Sequence, residues 1–358
     1  MTEFWRMGAT PVPAAEIGRL AREFEAGGWD GLAVGEAHGL LPDPYAVLGV
    51  AAAATTTLQV GTSVAVPLRH PLLAADAMAT VHALSGGRSR FVIGRGDGAM
   101  KVLQQKPMAL APFEDYLRRL QGFLRREEVQ IEGAVSSMSR LDDIDPSLDL
   151  PKPQVSVAAT GPRMIEVAAR WADGIDFSVG ADLERLRRSI ALAREACAAA
   201  RRDPDSLGLG CYLQVAVVDG DEVQDARARE AVRGLIVTHA RFSGFEPAPS
   251  PDVRDDEHGR ARQAVEVMEA VLTSARGGVS RTVGGGPGEL DFYPRGALDE
   301  AYLDQFGVIG TAEQCAERLQ EILELGLTRI YIGTRSVGVD LEEANTQRIG
   351  REVLSLLR

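Results

Sequence analysis

Glu36 and His38, two residues apart, are the clearest pair in this sequence able to move protons. They follow the short apolar run 32–34, so both fall in the loop that leaves a strand. An imidazole titrates near neutral pH and can give or take a proton during a reaction. Glu36 either orients that ring, acts as an acid itself, or is held in a buried ion pair. His38 is otherwise a loop histidine bonded to a backbone carbonyl. A second constellation is Thr160-Gly161-Pro162-Arg163-Met164, which opens a helix. Free amides at Gly161, Arg163 and Met164, with the positive end of the helix dipole, suit a phosphate. Pro162 in the first turn is equally what a helix start favours. Ser178, Val179 and Gly180, after a later strand, extend the same anion site.

Two glycine-containing stretches complete the candidates. Gly61, Thr62, Ser63 and Val64 end a strand, where small residues let a backbone approach a ligand closely or accommodate a bulge. Gly94-Arg-Gly-Asp97 follows the next strand; Asp97 there can hydrogen-bond a ligand, or the segment is a structural turn. It lacks the third glycine and downstream acid of a dinucleotide fingerprint, so a Rossmann site is excluded. The 284–288 glycine run lacks the lysine-serine ending of a phosphate loop. The five histidines are scattered without metal-ligand spacing, and no G-x-S-x-G nucleophile elbow occurs. His70 before Pro71 reads as a helix cap, and His82 as a structural residue on that helix.

These residues need elements to position them. Short β-rich runs alternate with amphipathic helices from end to end: strands near 4–9, 32–34, 58–64, 90–93, 155–159, 174–177, 209–218 and 329–332. The helices between them include one from 222 to 239, one opened by the Thr311–Gln314 capping box, and a last one running to Leu357. Residues 132–153 read as mostly loop. This alternation predicts a parallel sheet, and about eight units favour an α/β fold of the (β/α)8 TIM barrel type over an open sheet. The chain 1–358 reads as one domain, with 242–307 an insertion before the last βα unit and near the mouth.

Composition limits the partners. Asp and Glu number 51 against 39 Lys and Arg, a net charge of −12, which argues against nucleic-acid binding and against anionic membranes. Only Lys101, Lys106 and Lys152 are lysines, so an anion site rests on Arg, amides and helix N-termini. Cys197, Cys211 and Cys315 have unrelated spacings that fit free thiols in a cytoplasmic protein. Neither a signal peptide nor a membrane span is legible.

Several stretches together resemble the luciferase-like monooxygenase superfamily: Gly61-Thr-Ser-Val-Ala-Val-Pro67, Arg69-His-Pro71, Leu84-Ser-Gly-Gly-Arg88 and Phe91-Val-Ile-Gly-Arg-Gly-Asp97. Ala158-Ala-Thr-Gly-Pro-Arg-Met164 with Ala172-Asp-Gly174 is similar to the branch that includes methylenetetrahydromethanopterin reductase. Ile309-Gly-Thr-Ala-Glu313, Arg318-Leu319 and Gly326-Leu-Thr-Arg-Ile330 complete the pattern. The resemblance implies a barrel binding the deazaflavin coenzyme F-420, or FMN, at its C-terminal mouth. It implies a strand bulge with a non-proline cis peptide at Ser63-Val64 behind the ring, Asp97 near the ribityl chain, and a phosphate at Thr160–Met164. Under it, His38 is the proton partner of a hydride transfer to or from a small organic substrate. Two alternatives stand beside that reading. One is a two-component FMN monooxygenase fed by a flavin reductase, and the other is a non-catalytic flavin-binding barrel. Family analogy adds a homodimer.

Overall fold

The structure is a computed structural model that describes residues 2–8, 14–38, 41–96, 99–103, 105–138, 148–220, 225–226, 229, 305–334 and 339–358. Eight parallel strands close into a ring: β1 (Glu3–Gly8), β2 (Gly31–Val34), β3 (Gln59–Ala65), β4 (Ser89–Ile93), β7 (Gln154–Ala159), β8 (Gly174–Phe177), β9 (Gly208–Val217) and β11 (Arg329–Gly333), which returns to β1. The expected (β/α)8 barrel is therefore the fold. The helices around it are α1 (Ile17–Ala26), α2 (Pro44–Ala54), α3 (Pro71–Leu84), α4 (Ala99–Val102), α5 (Leu110–Leu124), α6 (Pro162–Trp171), α7 (Leu183–Ala199), α8 (Ala312–Leu323) and α9 (Val339–Arg348).

Strand periodicity divides the core in two. On β1, Phe4 packs among the helices, while Trp5 points into the barrel with Ala33, Val92, Tyr212 and Tyr331. The barrel floor is ionic. Arg329 donates from Nε (3.0 Å) and Nη2 (2.7 Å) to Asp176, and both residues are buried. Burial works against the Arg329 cation, but Asp176 more than offsets it and the guanidinium stays charged. Gly210 makes room for the pair, since a Cβ there would lie 2.2 Å from the Asp176 carboxylate.

Several elements differ from the sequence expectations. The 132–153 stretch opens within a hairpin of β5 (Val129–Ile131) and β6 (Ala134–Ser136), turned by Glu132 and Gly133 at φ 50° and 85°. Strands of three residues are too short to leave a periodic signal, and two positive φ values fit the twist of a tight hairpin. The last helix stops at Arg348 and continues as a π turn (Ile349–Val353) and a 3-10 turn (Leu354–Leu357). There Gly350 packs on the carbonyl of Gly27, where a Cβ would lie at 2.3 Å. Residues 242–304 of the expected insertion, and most of the 222–239 helix, lie outside the described residues. The chain re-enters description at Gln305, and Gly307 begins β10 (Gly307–Gly310), a ninth strand added parallel to β9. Thr311 then caps α8 with the reciprocal box read from the sequence.

Candidate active site

Asp43 and Pro44 start α2 as a cap-and-proline pair, the Asp43 carboxylate accepting from the amides of Tyr45 and Ala46. That start closes the β2–α2 loop, which follows the C-terminal end of β2. Glu36 sits in this loop with its side chain wholly buried. Its Oε2 accepts from the Val66 amide at 2.8 Å. Its Oε1 lies 3.2 Å from His38 Nε2 and 3.4 Å from Arg69 Nε. Arg69 also pairs with Asp43 and lies over the Tyr45 ring, 4.8 Å from its centroid. Burial opposes the Arg69 cation, but the Asp43 and Glu36 carboxylates hold its pKa above the ordinary value. Burial first, and the Glu36 charge second, push the phenols of Tyr45 and Tyr116 upward. The buried ion pair anticipated for Glu36 is thus present, and it coexists with a contact to His38, whose side chain is 36% exposed.

The β3 rim is built by Thr62. Its hydroxyl donates to the Val92 carbonyl (2.8 Å) and accepts from the Val92 amide (3.0 Å). Beyond that clasp the β3–β4 register shifts between Thr62 and Ala65, and the Ser63-Val64 peptide is cis. Val64 turns into the barrel, where its Cγ1 would be 3.1 Å from a Cβ on Gly94. Gly35 lies beside the Ser63 carbonyl on the other flank. Gly61 sits deeper, where a Cβ would meet the Arg90 carbonyl at 1.9 Å and the Trp5 ring at 3.2 Å. Gly61 and Thr62 therefore set the strand, and Ser63 and Val64 are the pair that faces the mouth.

Across the ring, Thr160 links β7 to α6 and Gly161 is the N-cap of α6. A Cβ on Gly161 would meet nothing within 4 Å, so the space before this helix is open. The Met164 amide was expected to be free; instead it donates to the Gly161 carbonyl at 3.1 Å. The first turn has closed on itself, which leaves the Gly161 and Arg163 amides for an anion. Pro162 and Arg163 are exposed, and the Met164 side chain packs on the outer core. Val179 packs its side chain into the same outer core, so only its backbone can face the mouth. Gly180, at φ 74°, packs against Phe306, where a Cβ would lie at 2.6 Å. Asp97 lies outside the described residues.

Sequence reasoning named no role for Asp43, Arg69 or Tyr212. The Asp43-Pro44 cap was legible, and so was the alternation Gly210, Tyr212, Gln214 on β9, which places three residues inside the barrel. What the sequence did not show is which carboxylate Arg69 would meet.

The luciferase-like monooxygenase family profile matches residues 1–329. A 5,10-methylenetetrahydromethanopterin reductase of Methanolobus tindarius is 26% identical over 349 residues, covering 96% of each chain. An F-420-dependent glucose-6-phosphate dehydrogenase of Beutenbergia cavernae is 32% identical over 214 residues, 56% of this chain and 61% of that one. Among solved structures, the coenzyme F-420-dependent tetrahydromethanopterin reductase of Methanopyrus kandleri superposes with a TM-score of 0.74 at 19% identity, covering 100% of this chain and 99% of that one. With a family match over most of its length and a closed parallel barrel beneath it, this chain belongs to the luciferase-like monooxygenase family and is an oxidoreductase.

Proposed function

We propose that this enzyme is a coenzyme F-420-dependent oxidoreductase acting on a small organic substrate. The observation that carries the reading is one barrel rim holding His38 on the buried Glu36 carboxylate beside the small-residue edge of Gly35, Ser63, Val64 and Gly94. The relatives named for F-420 support the choice of cofactor. The residues present fit such a group. Gly35 and Gly94 leave the Ser63-Val64 edge open to close approach, and Gly161 heads a helix with open space before it.

Ser63 and Val64 would hold the ring, and the Gly161 and Arg163 amides its phosphate. When bound, a deazaflavin would give or take a hydride at its carbon 5. His38 gives or takes the accompanying proton. Because Glu36 can only accept, its contact fixes the hydrogen on His38 Nε2 and leaves Nδ1 to exchange a proton with substrate. Arg69 and the Val66 amide hold the Glu36 carboxylate in place.

A fluorescence titration of the apo-protein with coenzyme F-420, oxidised FMN and, anaerobically, reduced FMN tests the reading. Tighter binding of the deazaflavin is expected. Preference for reduced FMN would replace it with an FMN monooxygenase that consumes oxygen and depends on a flavin reductase. Binding of none would leave a barrel without this chemistry.

Two further proposals concern the setting. Cys197, Cys211 and Cys315 are free and buried, in keeping with a cytoplasmic protein. Among the described residues no helix is long and apolar enough to cross a membrane. The outer face of α2 and α3 supports a homodimer. Residues 44–54 contain no charge, and α3 adds only Asp76 and the buried His82. Val50 (49%), Leu73 (58%) and Leu84 (54%) are exposed there, in a chain whose other long helices carry abundant surface charge.

A further inference from the structure

One oxygen of Glu36, Oε1, faces two donors at once: His38 Nε2 at 3.2 Å and Arg69 Nε at 3.4 Å. A guanidinium set squarely on a carboxylate takes both oxygens in a bidentate pair and displaces a neutral imidazole. Here the guanidinium is turned aside, because Arg69 Nη2 donates to the Asp43 carboxylate instead. Asp43 cannot follow Arg69 toward Glu36. Its Oδ1 accepts from the Tyr45 and Ala46 amides at 3.1 Å each, so the start of α2 fixes where this carboxylate stands. The Tyr45 ring lies against the guanidinium, 4.8 Å from the ring centroid. Tyr45 and Tyr116 face the cluster from α2 and α5, and their phenols, pushed upward by burial first and by Glu36 second, remain uncharged. One guanidinium is thus divided between two carboxylates, and Glu36 Oε1 keeps room for the imidazole.

We propose that Asp43 is a positioning residue for His38: by drawing the Arg69 guanidinium off Glu36, it leaves Glu36 Oε1 to hold the imidazole in its Nε2–H form. The proposal rests on the proton role given to His38 above. It extends that role to the helix cap of α2, which acts through Arg69 and Glu36. With the hydrogen fixed on Nε2, Nδ1 is the atom that exchanges a proton with substrate.

Long-range proton–nitrogen correlation spectra of the full chain without cofactor show which ring nitrogen carries the hydrogen. They are recorded at about pH 8, where an ordinary imidazole is neutral, and His38→Ala identifies the His38 signals. The wild type should give the Nε2–H pattern. Asp43→Asn keeps a good helix cap, since its carbonyl oxygen still accepts from the α2 amides, but it presents an amide NH2 to Arg69. Arg69 is then expected to close on Glu36, and the two His38 nitrogen signals to move toward each other as the tautomers mix. Asp43→Asn combined with Arg69→Met should restore the wild-type pattern, because no guanidinium remains to take the oxygen. Arg69→Met alone should keep it. A merely structural role for Asp43 would not be repaired by a second loss. Unchanged His38 signals in Asp43→Asn, no restoration in the double variant, or loss of the pattern in Arg69→Met would each overturn the proposal. These spectra need no cofactor, so that failure leaves the F-420 reading intact. A wild type that binds no deazaflavin would overturn the F-420 reading without altering the His38 spectra.

Discussion

At the scale of single residues, Glu36 and His38 share a bond but not a task. Glu36 is committed to the protein through the Val66 amide and Arg69, whereas His38 hangs on it at the solvent edge. Glu36→Ala strands the buried amide and unbalances Arg69. It should lower stability by about 2–4 kcal/mol, read from urea unfolding midpoints. His38→Ala should change stability by no more than about 0.5 kcal/mol. Once a substrate is in hand, it should cut turnover by about 10²-fold or more. Equal destabilisation by the two substitutions would make His38 a structural residue and remove the proton role. Both side chains were legible in the sequence because a loop after a short apolar strand is where barrel chemistry resides. Arg69 was not, since its Glu36 partner lies 33 residues away and the two meet only once β2 pairs with β3.

At the scale of elements, what presents Ser63 and Val64 is the fixing of β3 at both ends. Thr62 clasps β4 at the rim. At the base, Glu25 of α1 receives the amides of Thr56 (2.9 Å), Thr57 (2.6 Å) and Leu58 (2.9 Å), with the Thr57 hydroxyl at 2.8 Å. Desolvation opposes the Glu25 charge, but these donors win and bring its pKa from 4.5 down to about 2. A depressed carboxylate contributes stability that is complete above its unfolded pKa and disappears as pH falls through the folded one. Glu25→Gln should therefore be less stable than wild type at pH 6, with the gap shrinking between about pH 4.5 and 2. Urea unfolding across that range measures it, and a gap constant from pH 6 to 3 would refute the assignment. The alternation that identified the barrel is strong because each strand and helix repeats one burial pattern. The β5–β6 hairpin escaped it for want of length, and the π turn after α9 follows from a tertiary contact, Gly350 on Gly27, that local pattern does not encode.

At the scale of the whole molecule, the uncharged face of α2 and α3 predicts the assembly. Val50→Glu combined with Leu84→Glu places two like charges on each copy of that face. Light scattering should then report half the wild-type mass at micromolar concentration, with the circular dichroism spectrum retained. A wild type that is already monomeric at tens of micromolar would defeat the proposal. The barrel floor bears on something else, the order in which the molecule can be made. Asp176 and its Arg329 partner are 153 residues apart, and β11, which carries Arg329, is also the strand that seals the ring against β1. During synthesis, β1 waits with an open edge, and Asp176 without its ion-pair partner, until Arg329 leaves the ribosome. At about 5–20 residues per second that wait lasts roughly 8–30 seconds for Asp176. Nascent chains of this protein therefore pass through a long open-edged stage in which the first strand is exposed to pairing with other chains.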